Sequence, residues 1–165
     1  MAVTYEPIAT YTFTSDSSSY TFSSIPGTYT DLVLIGNYGV TTDDDVNLNV
    51  NGDTTSGLYS YTKLYGTGSS AVSNRGSAQN KIQYGIGNVT VPTTLTSNAV
   101  THFMNYANTS VYKTILHRAN EAQAETLAEA GLWRNTNAIT SITVKANLSN
   151  IKQNSTFTLY GIKAA

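Results

Sequence analysis

Val46-Asn47-Leu48-Asn49-Val50-Asn51-Gly52-Asp53 is the stretch whose reading decides the fold. Apolar and polar residues alternate strictly, the pattern of a strand with one buried and one outward face. Asn51-Gly52 follows, a pair that tolerates the positive φ of a tight hairpin turn. The return strand is predicted at Leu58-Tyr59-Ser60-Tyr61-Thr62-Lys63-Leu64. Working outward, the same alternation marks Ala9–Phe13 and Tyr20–Phe22. Ile25-Pro26-Gly27-Thr28 reads as a turn, because Pro presets φ and Gly accepts positive φ. Leu32-Val33-Leu34-Ile35, inside Asp31–Asn37, is apolar on both faces and predicts a central strand. Further strands are expected around Lys81–Gly87, Thr101–Tyr106, Val111–Arg118, Ala138–Ala146 and Thr156–Ile162, with Val89–Asn98 as a connection or short edge strand.

Two segments depart from the pattern. Gly66 to Asn80 is rich in Gly, Ser and Asn with almost no apolar period, and predicts a long exposed loop. Asn120 to Ala130 is made of good helix formers. Its apolar residues hold no i, i+3, i+4 stripe, and no cap precedes Gly131-Leu132-Trp133, so a strand from about Thr126 is the preferred reading. Eight or more short strands with frequent turns predict an all-β chain: one antiparallel β-sandwich domain, jelly-roll-like, over residues 1–165, with residues 1–8 as an extended N-terminal arm.

Composition narrows the function. Charged residues are 12% of 165 and the net charge is −1, leaving no surplus of Lys and Arg for phosphates or anionic lipid. Nucleic acid and membranes are poor partners. Roughly a third of the chain is Ser, Thr or Asn, which suits strand faces and wet interfaces. Cysteine is absent, and with it disulfides, thiolate ligands and thiol nucleophiles. The first residues carry no basic and apolar leader, so no classical secretion is expected.

Asp43-Asp44-Asp45 with Asn47, Asn49, Asn51 and Asp53 has the oxygen-rich look of a calcium loop. A frame starting at Asn47 puts Gly52 at the sixth place but Leu58 at the twelfth, where a bidentate Glu is required. The Asn residues then read as the outward face of a strand, with the Asp43–Asp45 loop still open to weak cation binding. His102 and His117 are the only histidines, without ligand spacing, and read as hydrogen-bonded strand residues. No Gly-x-Ser-x-Gly elbow exists, and Gly85-Ile86-Gly87 lacks the third glycine of a dinucleotide loop. Asp31, Glu121, Glu125 and Glu129 are the carboxylates a glycosidase would draw on, but no spacing pairs them. No catalytic site, metal or cofactor is expected. Tyrosine is abundant at 12 residues, and Tyr59, Tyr61 and Tyr65 form the candidate contact surface.

Several stretches together resemble a family of tailed-bacteriophage virion proteins. They are Leu48–Thr55 leading to Tyr59-Ser60, Phe22–Leu32, Asn105–Ser110 ahead of Tyr112-Lys113-Thr114, Trp133–Thr136 ahead of Ala138–Ile142, and Ser155–Ile162. The resemblance implies a small β-sandwich module without catalytic residues. Its first implied role is a capsid decoration, or cement, protein in the virion, made in the host cytoplasm. That role makes the partners the major capsid protein and further copies of itself as a homotrimer, with the N-terminal arm pairing on a neighbour. The other implied role is a tail or fibre component that binds a host-surface glycan through the Tyr-rich strand and the Gly66–Asn80 loop.

Overall fold

The computed structural model describes residues 4–83, 93–95, 97–121 and 125–163. Among them, two antiparallel sheets face each other, as the alternation predicts. The larger holds eight strands in the order β1 (Tyr5–Thr12), β12 (Thr156–Ile162), β3 (Asp31–Tyr38), β8 (Ser97–Met104), β9 (Lys113–Glu121), β10 (Glu125–Trp133), β5 (Tyr59–Gly66), β6 (Ala71–Gln79). The smaller runs β2 (Ser19–Phe22), β11 (Ile142–Ala146), β4 (Val46–Val50), β7 (Ile82–Gln83). This jelly-roll-like sandwich encloses Phe13, Phe22, Leu32, Leu34, Tyr38, Val46, Leu48, Trp133, Ile142, Val144, Phe157 and Leu159. Removing such side chains from water is the main favourable term in folding.

Val46–Val50 is a strand, and Asn51 and Gly52 both take positive φ, 53° and 65°. The predicted return partner is nonetheless wrong. β4 pairs with β11 and β7, while β5 crosses into the other sheet. Two side chains account for this. Asn51 Oδ1 accepts from the backbone N–H groups of Thr140 and Ser141, at 2.8 and 3.1 Å, and its amide donates to the Ala138 carbonyl. The Tyr59 hydroxyl donates to the Asp53 carbonyl and accepts from Val50 N–H, so β5 starts beneath the turn instead of beside β4.

Residues 66–80 are a second correction. Ala71–Gln79 forms β6, which pairs with β5 from Gly66↔Ala71 to Tyr59↔Gln79. As an edge strand it is exposed at most positions, so nothing imposes an apolar period on it. The N-terminal arm is a third. From Tyr5 onward the chain is β1, paired with β12 of its own sheet, while residues 1–3 lie outside the described residues. Glu125–Trp133 is a strand despite its helix formers. Helix preferences of a few tenths of a kcal/mol per residue do not compete with backbone pairing to β9 and β5 on both sides. Gly85-Ile86-Gly87 and residues 89–92 and 96 of the predicted connection fall outside the described residues, and its last two residues, Ser97 and Asn98, belong to β8.

Gly161 shows how closely this sandwich is packed. The Tyr29 ring lies flat against it, where any Cβ would collide with the ring. Tyr29 is held there by its hydroxyl, which donates to Glu6 at 3.3 Å, and by the Lys163 ammonium 5.7 Å from the ring centre. Gly161→Ala is expected to cost about 1–3 kcal/mol through displacement of that ring, read as a lower urea midpoint at unchanged slope.

Candidate functional site

β9 and β10 are inside out. Strand parity turns Lys113, Ile115, His117, Ala119 and Glu121 inward on β9, and Glu125, Leu127, Glu129, Gly131 and Trp133 inward on β10. Leu116, Arg118, Ala128 and Ala130 therefore face outward. Trp133 and Leu127 fix this choice, because a one-residue slip would expose both along with every other inward residue.

The inward face carries a polar row across four strands: Thr101, His117, Glu129 and Lys63 are successive cross-strand neighbours. Thr101 Oγ1 and His117 Nδ1 are 2.8 Å apart. Lys63 is buried, donates to Gln83 Oε1 at 2.9 Å, and lies 5.1 and 5.9 Å from the ring centres of Tyr61 and Tyr65. Among the described residues neither carboxylate oxygen of Glu129 has a hydrogen-bond partner. Burial pushes the Glu129 carboxyl up to about 7, against the pull of Lys63. Burial also lowers the Lys63 ammonium, which Glu129 partly restores. One strand turn away Glu121 stands directly opposite Glu125, whose carboxyl burial likewise raises.

The three tyrosines of the candidate contact surface divide. Tyr59 is fully buried against Trp133, and burial pushes its hydroxyl up to about 12. It is a core residue, which corrects its assignment to a surface. Tyr61 and Tyr65 are half-buried on the same inward face and flank Lys63. The Asp43–Asp45 loop is also not an open cation loop. Asp44 is buried, and its Oδ2 accepts from Leu148 and Ser149 N–H at 2.6 and 2.8 Å. Burial works against its charge, but those donors and the Asp45 N–H outweigh it and hold the carboxyl below its usual range. Asn47, expected on an outward face, is buried too, with Gln83 of β7 and Lys145 of β11 as its cross-strand neighbours. His102 pairs with Asp31 at 3.0 Å. Among the described residues no three His, Asp or Glu side chains gather as a metal site.

The outward face is different in kind. Three adjoining depressions of about 390, 420 and 540 Å³ cross the eight-stranded sheet from β12 to β6. The first two share Val100 and Arg118, and the last two share Ala128, so together they form one trough. Its floor is aliphatic and open: Ile35, Val100 and Leu116 are each more than 40% exposed, and Leu64 is 63% exposed. Along one side runs a row of amides and hydroxyls, Thr12, Thr156, Asn37, Asn98, Asn120 and Thr126, each the cross-strand neighbour of the next. The Asn37 amide donates to Asn98 Oδ1 at 3.0 Å. Arg118 stands in the middle, between Val100 and Ala128. None of these trough residues was singled out from sequence. The available signal was parity: Trp133 must face inward, and counting back by twos from it turns Glu129 and Glu125 inward and the alanines outward.

No family model matches this chain, and no curated protein sequence matches it. Solved structures share the layout at low identity. A mutant of alginate lyase Aly36B in complex with an alginate tetrasaccharide is 10% identical with a TM-score of 0.42, covering 94% of this chain and 79% of that one. The galectin LEC-6 of Caenorhabditis elegans is 8% identical with a TM-score of 0.37, covering 94% and 96%. The exo-inulinase of Aspergillus awamori is 9% identical with a TM-score of 0.40, covering 96% of this chain and 29% of that one. Likeness at this level transfers no ligand and no activity. These neighbours are a lectin and carbohydrate-active enzymes, not virion proteins. The expected role as a capsid cement protein in the virion is corrected on that finding. The segment meant to reach a neighbouring subunit is, moreover, committed to its own sheet from Tyr5.

Proposed function

We propose that this protein binds a glycan, without turning it over, in the trough on the outward face of the eight-stranded sheet. The observation that carries the reading is the pairing of an open aliphatic floor with an unbroken amide and hydroxyl row along its side. A sugar ring presents a C–H face and a rim of hydroxyls. Ile35, Val100, Leu116 and Leu64 offer apolar surface to the first, and the exposed Asn120 amide and Thr126 hydroxyl of the row offer donors and acceptors to the second. The row sits on strands, so its spacing is set by the sheet and little entropy is lost in positioning it. Binding without turnover fits the setting of the acids: Asp31, on the trough face, is occupied by His102 Nε2 and the Asn105 N–H. Glu125 and Glu129, the carboxyls that burial raises toward a general-acid range, lie on the other side of the sheet from the trough.

The test is a glycan array followed by titration calorimetry on the best ligand. Specific binding is expected, lost on Val100→Asp, which replaces apolar floor by a carboxylate directly across the strand from Arg118, and weakened about fivefold by Asn120→Ala, the scale of one hydrogen bond. Both positions are exposed, so the fold should survive. A blank array, or binding indifferent to Val100→Asp, would refute the site. Release of new reducing ends from the bound oligosaccharide would refute the absence of turnover.

A further inference from the structure

Charge is distributed unevenly between the two faces of the central strands. All three glutamates of β9 and β10 turn inward, and the arginine they share a hairpin with turns outward. On the trough side Arg118 has Val100 and Ala128 as its cross-strand neighbours, with Asn98, His102, Thr126 and Ala130 on the diagonals. None of these is acidic. Asp31, the nearest carboxylate on that face, is occupied by His102 Nε2 at 3.0 Å and by the Asn105 N–H at 2.6 Å. Among the described residues Arg118 makes no ion pair. A protein with a net charge of −1 thus presents the Arg118 guanidinium, without an ion pair among the described residues, at the point where two of the three depressions meet.

From this we infer that the glycan bound in the trough is acidic, with a sugar-ring carboxylate seated on Arg118. The inference rests on the glycan-binding reading and adds to it the class of sugar. The guanidinium is planar and presents paired N–H donors that match a carboxylate's two oxygens. The Asn120 amide, two residues along the same strand and on the same face, is placed to take a hydroxyl adjacent to that carboxylate. Val100 and Ala128, directly across the strands from the guanidinium, carry no hydrogen-bonding side chain and leave its N–H donors to the ligand.

The experiment compares three probes of equal length by calorimetry: an oligouronate, the same oligosaccharide after reduction of its carboxyls to alcohols, and a sulfated neutral oligosaccharide. The oligouronate is expected to bind about 10- to 100-fold more tightly than its reduced form, the range of a charge-assisted pair, and to weaken as salt is raised. Arg118→Gln should erase the difference between the two. Arg118→Lys should restore part of it, because the charge returns but the fork does not. Thermal unfolding of both variants should be unchanged, which a purely structural role for Arg118 would not allow. Equal affinity for the oligouronate and its reduced form would overturn the acidic assignment while leaving glycan binding in place. Tighter binding of the sulfated probe would overturn the carboxylate. Binding of none of the three, with a blank array, would overturn both readings together.

Discussion

Stability is expected to fall by about 3 kcal/mol as pH is raised from 4.5 to above 7, opposite to the usual course for a protein stabilised by ionised carboxylates. The cause is Glu129. Its carboxyl has the ordinary value of 4.5 when unfolded and is pushed up to about 7 when folded, because burial penalises its charge. Between those values the native state holds a proton that the unfolded state has released, so each rise in pH favours unfolding. The contribution is largest below 4.5 and is lost as pH passes through 7. Glu125, also raised by burial, acts in the same direction. Asp44 and Asp53 act oppositely, but in a lower window: burial raises them, yet hydrogen bonding outweighs it and holds both below 3.8, so their contribution is lost only in stronger acid. A stability maximum between roughly pH 4 and 5 is the outcome. Urea unfolding at pH 4.5, 6 and 8 measures it. Glu129→Gln should flatten the fall between pH 4.5 and 7, whatever it does to absolute stability through Lys63. A wild-type curve that rises through this window would show that Glu129 is ionised in the folded protein.

Trp133→Ala is expected to cost about 3–5 kcal/mol, enough to remove a large part of the stability of a domain this size. The side chain is buried at the end of β10, stacks on Tyr59 with ring centres 6.5 Å apart, and donates from its indole nitrogen to Asp53 Oδ2 at 2.9 Å. It therefore fastens the Asn51-Gly52 turn to the larger sheet while filling the core. Trp133→Phe separates the two contributions. It keeps most of the ring volume and leaves the Asp53 carboxylate short of a donor, at a cost of about 1–3 kcal/mol. Denaturant unfolding of both variants at pH 7 checks the order. Equal losses would mean that the hydrogen bond, not the packing, dominates.

Much of the fold could be read from the chain because alternation is local. Thr156–Ile162 is a strand at its predicted bounds, and Asp31–Asn37 is the central strand expected, one residue short. The errors share a cause: pairing partners are not written in the strand they pair with. The Asn51-Gly52 turn was evident, but its rotation into the other sheet depends on Ala138–Ser141 and Tyr59, which are distant or ambiguous in sequence. β6 was hidden because an edge strand with both faces wet has no apolar period to show. For the site, the candidate surface of Tyr59, Tyr61 and Tyr65 does not coincide with the trough: Tyr59 is core, and Tyr61 and Tyr65 turn to the inward face, since tyrosine serves core and surface equally well.

The sequence by itself determined that the chain is an all-β sandwich, because side-chain alternation follows from strand geometry alone. It also set the strand parity of β10, through the single tryptophan that must be inside. Only the tertiary structure decided what that parity means. It set Glu129 beside Lys63 and His117 in a buried row, and set Arg118 beside the amides of β3, β8 and β9 in an open trough. Those neighbours come from strands far apart in the chain, and the sheet order that joins them is fixed by the packing of the whole core rather than by any one segment.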